Sequence, residues 1–120
     1  MMSKTPKEIV KSAYEVDLIH NLDELLDYLH PDIELDWSSS FGFLKKDFDG
    51  IVSMFKEMTV SFESIRCDIS HLLAERDTVT IRCTFYAGTI ENPGKEEHFA
   101  HFISIWELKD NKLYRGYQIS

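Results

Sequence analysis

The sequence predicts an α+β fold in which an antiparallel sheet packs against N-terminal helices, and three observations lead there. Four runs rich in Ile, Val, Thr, Phe, Tyr and Trp follow one another at the C-terminal end: Arg66–Ala74, Thr78–Ile90, His98–Leu108 and Leu113–Ile119. The breaks between them are Glu75-Arg76-Asp77, Asn92-Pro93-Gly94-Lys95 and Lys109-Asp110-Asn111-Lys112. These are polar, turn-prone and too short for a parallel crossover, which takes about a dozen residues or more. The helical signals lie almost entirely before Arg66, so the sheet must bury one face against them.

Thr5-Pro6-Lys7-Glu8 opens the first helix as a capping box: the Thr5 hydroxyl takes the N3 amide, Pro6 presets φ, and Glu8 reaches back. The helix is expected to run to about His20. Glu8, Lys11, Ser12 and Glu15 make its wet face, and Ile9, Val10, Ala13, Val16 and His20 the opposite one. Asp17 falls inside that apolar arc, one turn from Tyr14 at its edge. A carboxylate placed there is costly unless it is paired or hydrogen-bonded.

Asn21 with Glu24 starts a second, short helix, Leu22–Leu29, which stops at His30-Pro31. Asp32–Trp37 then alternates as a half-buried strand, with Ile33, Leu35 and Trp37 on one face and Glu34 and Asp36 on the other. Ser38 to Asp47 reads as a loop carrying Phe41, Phe43 and Leu44, which either folds over a pocket as a lid or plugs the core. Asp49-Gly50 opens a third helix with an apolar seam of Ile51, Met54, Phe55, Met58 and Phe62.

Within the meander, Val79, Ile81, Cys83, Phe85 and Ala87 form the set expected to face the helices. His98–Leu108 is apolar on both parities, with Phe99, Ile103 and Ile105 on one side and Ala100, Phe102 and Trp106 on the other. A strand greasy on both faces predicts a second cover, and a homodimer through the outer sheet face supplies it.

At 120 residues, one domain spanning 1–120 is expected, with a single core of useful size. Thirteen basic against twenty-one acidic residues leave a net charge of −8, which opposes binding to nucleic acid or anionic membranes. No stretch approaches membrane-spanning length, and no apolar leader segment opens the chain. Cys67 and Cys83 lack metal-type spacing and read as two buried, reduced thiols of a cytoplasmic protein. Gly-rich phosphate loops and Gly-x-Ser-x-Gly elbows are missing from the sequence. His98 and His101, three apart on a strand, should point to opposite faces and so not chelate one metal; His20, His30 and His71 form no ligand pattern. Glu96 and Glu97 flank a turn and should be solvated. No metal and no cofactor is expected.

The order of these elements resembles the nuclear transport factor 2-like superfamily, most of all its SnoaL-like polyketide cyclase and ketosteroid isomerase branch. The residues that carry the resemblance are Tyr14 with Leu25 and Leu26, His30–Trp37, Asp49-Gly50 and Phe102–Leu113. It covers nearly the whole chain through the order of elements, with no tight motif. The resemblance implies a curved antiparallel sheet wrapped into a cone, closed on one side by helices around a deep pocket, and commonly a dimer. It also implies a chemistry in which a carboxylate abstracts a proton next to a carbonyl while neutral donors hold the enolate oxygen, as the ketosteroid isomerase pattern does with an Asp, a Tyr and a protonated Asp.

Carried over residue by residue, Tyr14 stands where the family's oxyanion Tyr stands, and His101 stands at the second donor position. The base position, at the end of the first strand, has two registers. A gap places Asp36 there; without one, Trp37 takes it and Asp36 points away, which the hydrophobic parity favours. Asp17 is then the one carboxylate expected inside, and Tyr14, Asp17 and His101 form either an acid/base site or a buried hydrogen-bond network.

Two functions from different classes follow. One is a binding module holding a small, mostly apolar molecule among Trp37, Phe41, Phe43, Phe55, Met58, Phe85, Phe99 and Tyr117, with Tyr14 and His101 as polar groups. The other is a cofactor-independent isomerase or cyclase with Asp17 or Asp36 as base. A protein-interaction domain working through the sheet face is a third option.

Overall fold

The computed structural model describes residues 4–92 and 94–120, so Met1–Ser3 and Pro93 of the expected second turn lie outside the described residues. Three helices, α1 (Pro6–Tyr14), α2 (Leu22–Leu26) and α3 (Phe48–Ser61), accompany β1 (Leu29–Ser39), β2 (Gly42–Lys46), β3 (Phe62–Glu75), β4 (Thr78–Thr89), β5 (Glu96–Lys109) and β6 (Lys112–Ile119). The strands form one curved, unclosed sheet in the order β2-β1-β6-β5-β4-β3. Every neighbouring pair is antiparallel except β1 with β6. That parallel pair is possible because most of the chain separates the two strands. Helices α1 and α3 pack against the concave face, and the architecture is the expected α+β one.

The Thr5 capping box forms as read: the Glu8 amide donates to the Thr5 hydroxyl, and the Glu8 side chain accepts from the Thr5 backbone. The helix itself is shorter than expected and ends at Tyr14 instead of His20. Asp17 breaks it, because its carboxylate accepts hydrogen bonds from the Ile19 and His20 amides and holds residues 17–20 in a tight turn. Helix α2 stops at Leu26, three residues early, because Leu29 already pairs with Leu113 as the start of β1. Phe62, placed at the end of the third helix by periodicity, instead begins β3.

The expected loop from Ser38 to Asp47 is a β-hairpin. Ser39 pairs with Gly42 across Ser40 and Phe41, and the turn needs the left-handed φ of +114° that Gly42 supplies. Phe41 stands at its tip, 97% exposed, and Phe43 points to the outer face beside Ser38, so this segment neither lids a pocket nor plugs the core.

Strand parity decides which side chains enter the concave side. On β4, Val79, Ile81 and Cys83 are buried against the helices, and on β5 Ser104 and Trp106 are. The register Ile81–Ser104 and Val79–Trp106 puts these two sets on one face. A β-bulge then interrupts the β4–β5 ladder: Phe85 pairs with Ala100 and Tyr86 with His98, leaving Phe99 without a partner. Past the bulge the parity of β5 inverts. His98 and His101 therefore share the outer face, and the expectation that they point to opposite faces fails at this one inserted residue.

Trp106 lies flat across β6 at Gly116, which is its ladder partner. A Cβ at Gly116 would press into the Trp106 ring well inside contact distance. Gly116→Ala should therefore lower the unfolding free energy by about 1–3 kcal/mol through overpacking, read as a lower urea midpoint at unchanged slope. An unchanged midpoint would show that the ring has room to move.

Candidate functional site

The concave face encloses a cavity of about 350 Å³ whose lining is almost entirely apolar. Each wall follows from one element. Strand β1 presents Leu35 and Trp37 and turns Asp36 outward; helix α3 presents Met54, Phe55 and Met58; β4 and β5 present Phe85, Phe102 and Trp106. Aromatic rings run in a continuous line across the sheet. Tyr14 lies 6.4 Å from Phe85, Phe85 lies 5.5 Å from Phe102, and Phe102 lies 5.6 Å from Trp37. The last two contacts are edge-to-face, the arrangement in which a ring's positive edge meets its neighbour's negative face.

Polar atoms reach the cavity at two points. On the floor, the Trp106 indole N–H donates to the Tyr14 hydroxyl at 2.8 Å, and the fully buried Ser104 hydroxyl donates to Gln118 at 2.9 Å. At the other end, the Trp37 indole donates to the Ser120 hydroxyl at 2.8 Å. Burial pushes the Tyr14 phenol well above its ordinary pKa, against the opposing pull of the Trp106 hydrogen bond and the nearby Ser104 hydroxyl. The phenol therefore stays neutral and acts as a hydrogen-bonding group.

The other residues singled out from the sequence separate into two groups. Trp37, Phe55, Met58, Phe85 and Phe99 line the cavity with Tyr14. Phe99 does so only because the bulge turns it inward. Asp17, His101, Asp36, Phe41, Phe43 and Tyr117 do not line it. Asp17 sits in the surface turn after α1, where its carboxylate bonds the His20 ring at 2.8 Å and is held below its ordinary pKa by that bond and by the His20 and Ile19 amides. His101 faces outward and bonds Thr84 at 2.8 Å. The proposed cluster of Tyr14, Asp17 and His101 is thus not assembled, because one member lies in the turn and one on the far side of the sheet.

The two-register question at β1 resolves with the hydrophobic parity: Trp37 pairs beside Gln118 and faces the cavity, and Asp36 pairs beside Tyr117 on the outer face. One Asp36 carboxylate oxygen is buried there without a hydrogen-bond partner among the described residues, with Lys45 Nζ at 4.0 Å. Tyr117 is exposed on that same face.

Sequence reading missed Phe102, Trp106, Met54 and Gln118 as lining residues. The alternation Ala100, Phe102, Ser104, Trp106 was legible as one face, but parity alone does not say which face is concave. A second cavity, about 370 Å³ and more polar, opens between the turn after α1 and β3, where Asp17, His20, Arg66 and Cys67 line it. Cys83 is buried and Cys67 half-buried; both are free thiols. No group of three or more His, Cys, Asp or Glu that would hold a metal ion occurs among the described residues.

The Tyr14 phenol has a consequence for stability. An unfolded phenol ionises near pH 10 while the folded one retains its proton, so above about pH 10 the unfolded state binds fewer protons and stability falls as pH rises. Tyr14→Phe should reduce this alkaline loss relative to the wild type in pH-dependent urea unfolding. A variant whose stability falls with pH as steeply as the wild type's would place the responsible group elsewhere.

The family description of the SnoaL-like domain matches residues 13–116. No curated protein matches the sequence. Among solved structures, IdmH from Streptomyces antibioticus, described as a candidate polyketide cyclase, superposes with a TM-score of 0.77 at 14% identity over 97% of this chain and 91% of that one. A protein from Shewanella denitrificans, described as a candidate SnoaL-like polyketide cyclase, gives 0.70 at 12% identity over 95% and 88%. A hypothetical protein of ketosteroid isomerase-like fold from Catenulispora acidiphila, solved with trimethylamine, gives 0.70 at 15% identity over 96% and 85%. At these identities the structural likeness is one of fold, and with the domain match over residues 13–116 the chain belongs to the SnoaL-like family.

Proposed function

We propose that this protein binds a small, neutral, mostly apolar molecule with at least one ring inside the concave cavity. The observation that carries this reading is the lining: about 350 Å³ walled by aliphatic and aromatic side chains, with only neutral polar groups from Tyr14, Trp37, Trp106, Gln118 and Ser120. Apolar walls supply the affinity, and a few neutral hydrogen-bonding groups orient a carbonyl or hydroxyl on the ligand. A charged ligand would lose its hydration without finding a counter-charge.

Acid/base chemistry on an enolisable ketone is the second reading, favoured by Tyr14, whose neutral phenol stands where it would hydrogen-bond a ligand carbonyl. It lacks an internal base, since no carboxylate or imidazole side chain lines the cavity among the described residues. The binding reading needs no such group. Ring compounds such as 2-naphthol should raise the melting temperature of the wild type. Ala100→Trp, which fills the cavity from β5, should abolish that rise while leaving a folded protein. Equal stabilisation of both proteins would overturn the reading, and no stabilisation of either would favour a protein-interaction domain.

A homodimer through the outer sheet face belongs to the same proposal. Ile103, Ile105, Tyr117 and Ile119 on adjacent strands are each at least 40% exposed there and form one apolar patch. Ile105→Lys should convert a dimer to a monomer in sedimentation experiments without changing the circular dichroism. A wild-type protein that sediments as a monomer at high concentration would exclude the dimer.

A further inference from the structure

The bulge in β5 gives the outer face a feature that the cavity does not use. His98 and His101 stand side by side there, beyond the apolar patch, with their Nε2 atoms 2.7 Å apart. Their ring centroids are 4.2 Å apart and their planes are inclined by 59°. Two imidazoles meeting end to end across so short a contact would have more widely separated centroids. The nitrogens instead approach at an angle, as two ligands of one ion do. Two nitrogens in neighbouring positions of a tetragonal or octahedral ion, each about 2.05 Å from it, are roughly 2.9 Å apart, close to the spacing found here.

The surroundings orient the rings for this use. The Nδ1 of His101 is 2.8 Å from the Thr84 hydroxyl, the hydroxyl of its ladder partner. With Nδ1–H donating to Thr84, the lone pair is left on Nε2, and a hydrogen bond of this kind on the far nitrogen is the usual second support of a metal-bound histidine. His98 rests edge-on against Tyr86, which Arg66 covers from the other side while paired with Glu96. Both histidines are exposed, so a hydrated ion has access.

We propose that His98 and His101 together bind a borderline divalent transition ion, such as Zn²⁺, Ni²⁺ or Cu²⁺, through their Nε2 atoms, with water in the remaining positions. Imidazole suits these ions. With no third protein ligand among the described residues, the ion is exchangeable and the fold does not depend on it.

Calorimetric titration of the full chain with ZnCl₂, together with electron paramagnetic resonance of the Cu²⁺-loaded protein, tests the site. The wild type should bind Zn²⁺ and show Cu²⁺ coupled to two imidazole nitrogens. His98→Ala and His101→Ala should each weaken binding at least tenfold and leave one coupled nitrogen. Thr84→Val keeps both imidazoles and should weaken binding by about tenfold or more, whereas His20→Ala and His71→Ala should change nothing. Absence of binding by the wild type, or binding undiminished in both His98→Ala and His101→Ala, would overturn the proposal and leave the contact as an imidazole–imidazole hydrogen bond.

Discussion

The structure depends on one contact made across most of the chain's length: Trp106 of β5 lies against Gly116 of β6 and gives its indole proton to Tyr14 at the end of α1. A tryptophan on the inner face of a sheet needs a flat seat and a partner for its N–H. Gly116 provides the seat by having no side chain, and Tyr14 provides the partner. The same contact ties the first helix to the middle of the sheet and brings the phenol to the cavity floor, where burial keeps it neutral.

The cavity's character follows from where charge is excluded. The chain carries twenty-one acidic residues, yet none lines the cavity. Ionised carboxylates inside apolar walls are costly unless paired. Asp17 avoids that cost by leaving the helix for a surface turn, and Asp36 lies outside the cavity altogether, on the outer face of β1 with Lys45 at 4.0 Å. What stays inside is a line of rings from Tyr14 to Trp37, with hydrogen bonds among neutral groups at either end.

Much of this was legible in the sequence because it is written in short-range pattern. The Thr5 capping box, the strand alternation of Val79 to Ala87 and the parity of Ile33, Leu35 and Trp37 each follow from local geometry, and each is found. The candidate site was legible only in part. Tyr14, Trp37, Phe55, Met58 and Phe85 were readable from periodicity and element order, but the placements of Asp17 and Phe99 rest on local irregularities, and His101 follows the regular outward parity of Ile103 and Ile105 against the inner position the resemblance implied. Asp17 was assigned to a helix that its own side chain terminates. Phe99 and His98 lie at a bulge, where one unpaired residue reverses the alternation that strand reading relies on. No residue type in His98–Leu108 marks that insertion. The hairpin at Gly42 was missed because an apolar loop and an exposed two-stranded edge share the same composition.

The most direct measurement of the central claim is the response of the two indole N–H resonances, those of Trp37 and Trp106, to an apolar ring compound in a heteronuclear NMR titration. Both stand at the cavity's two polar ends, so both should shift together and saturably, while the His98 and His101 ring signals on the outer face stay in place. Shifts confined to the outer face, with both indoles unmoved at saturation, would contradict the account.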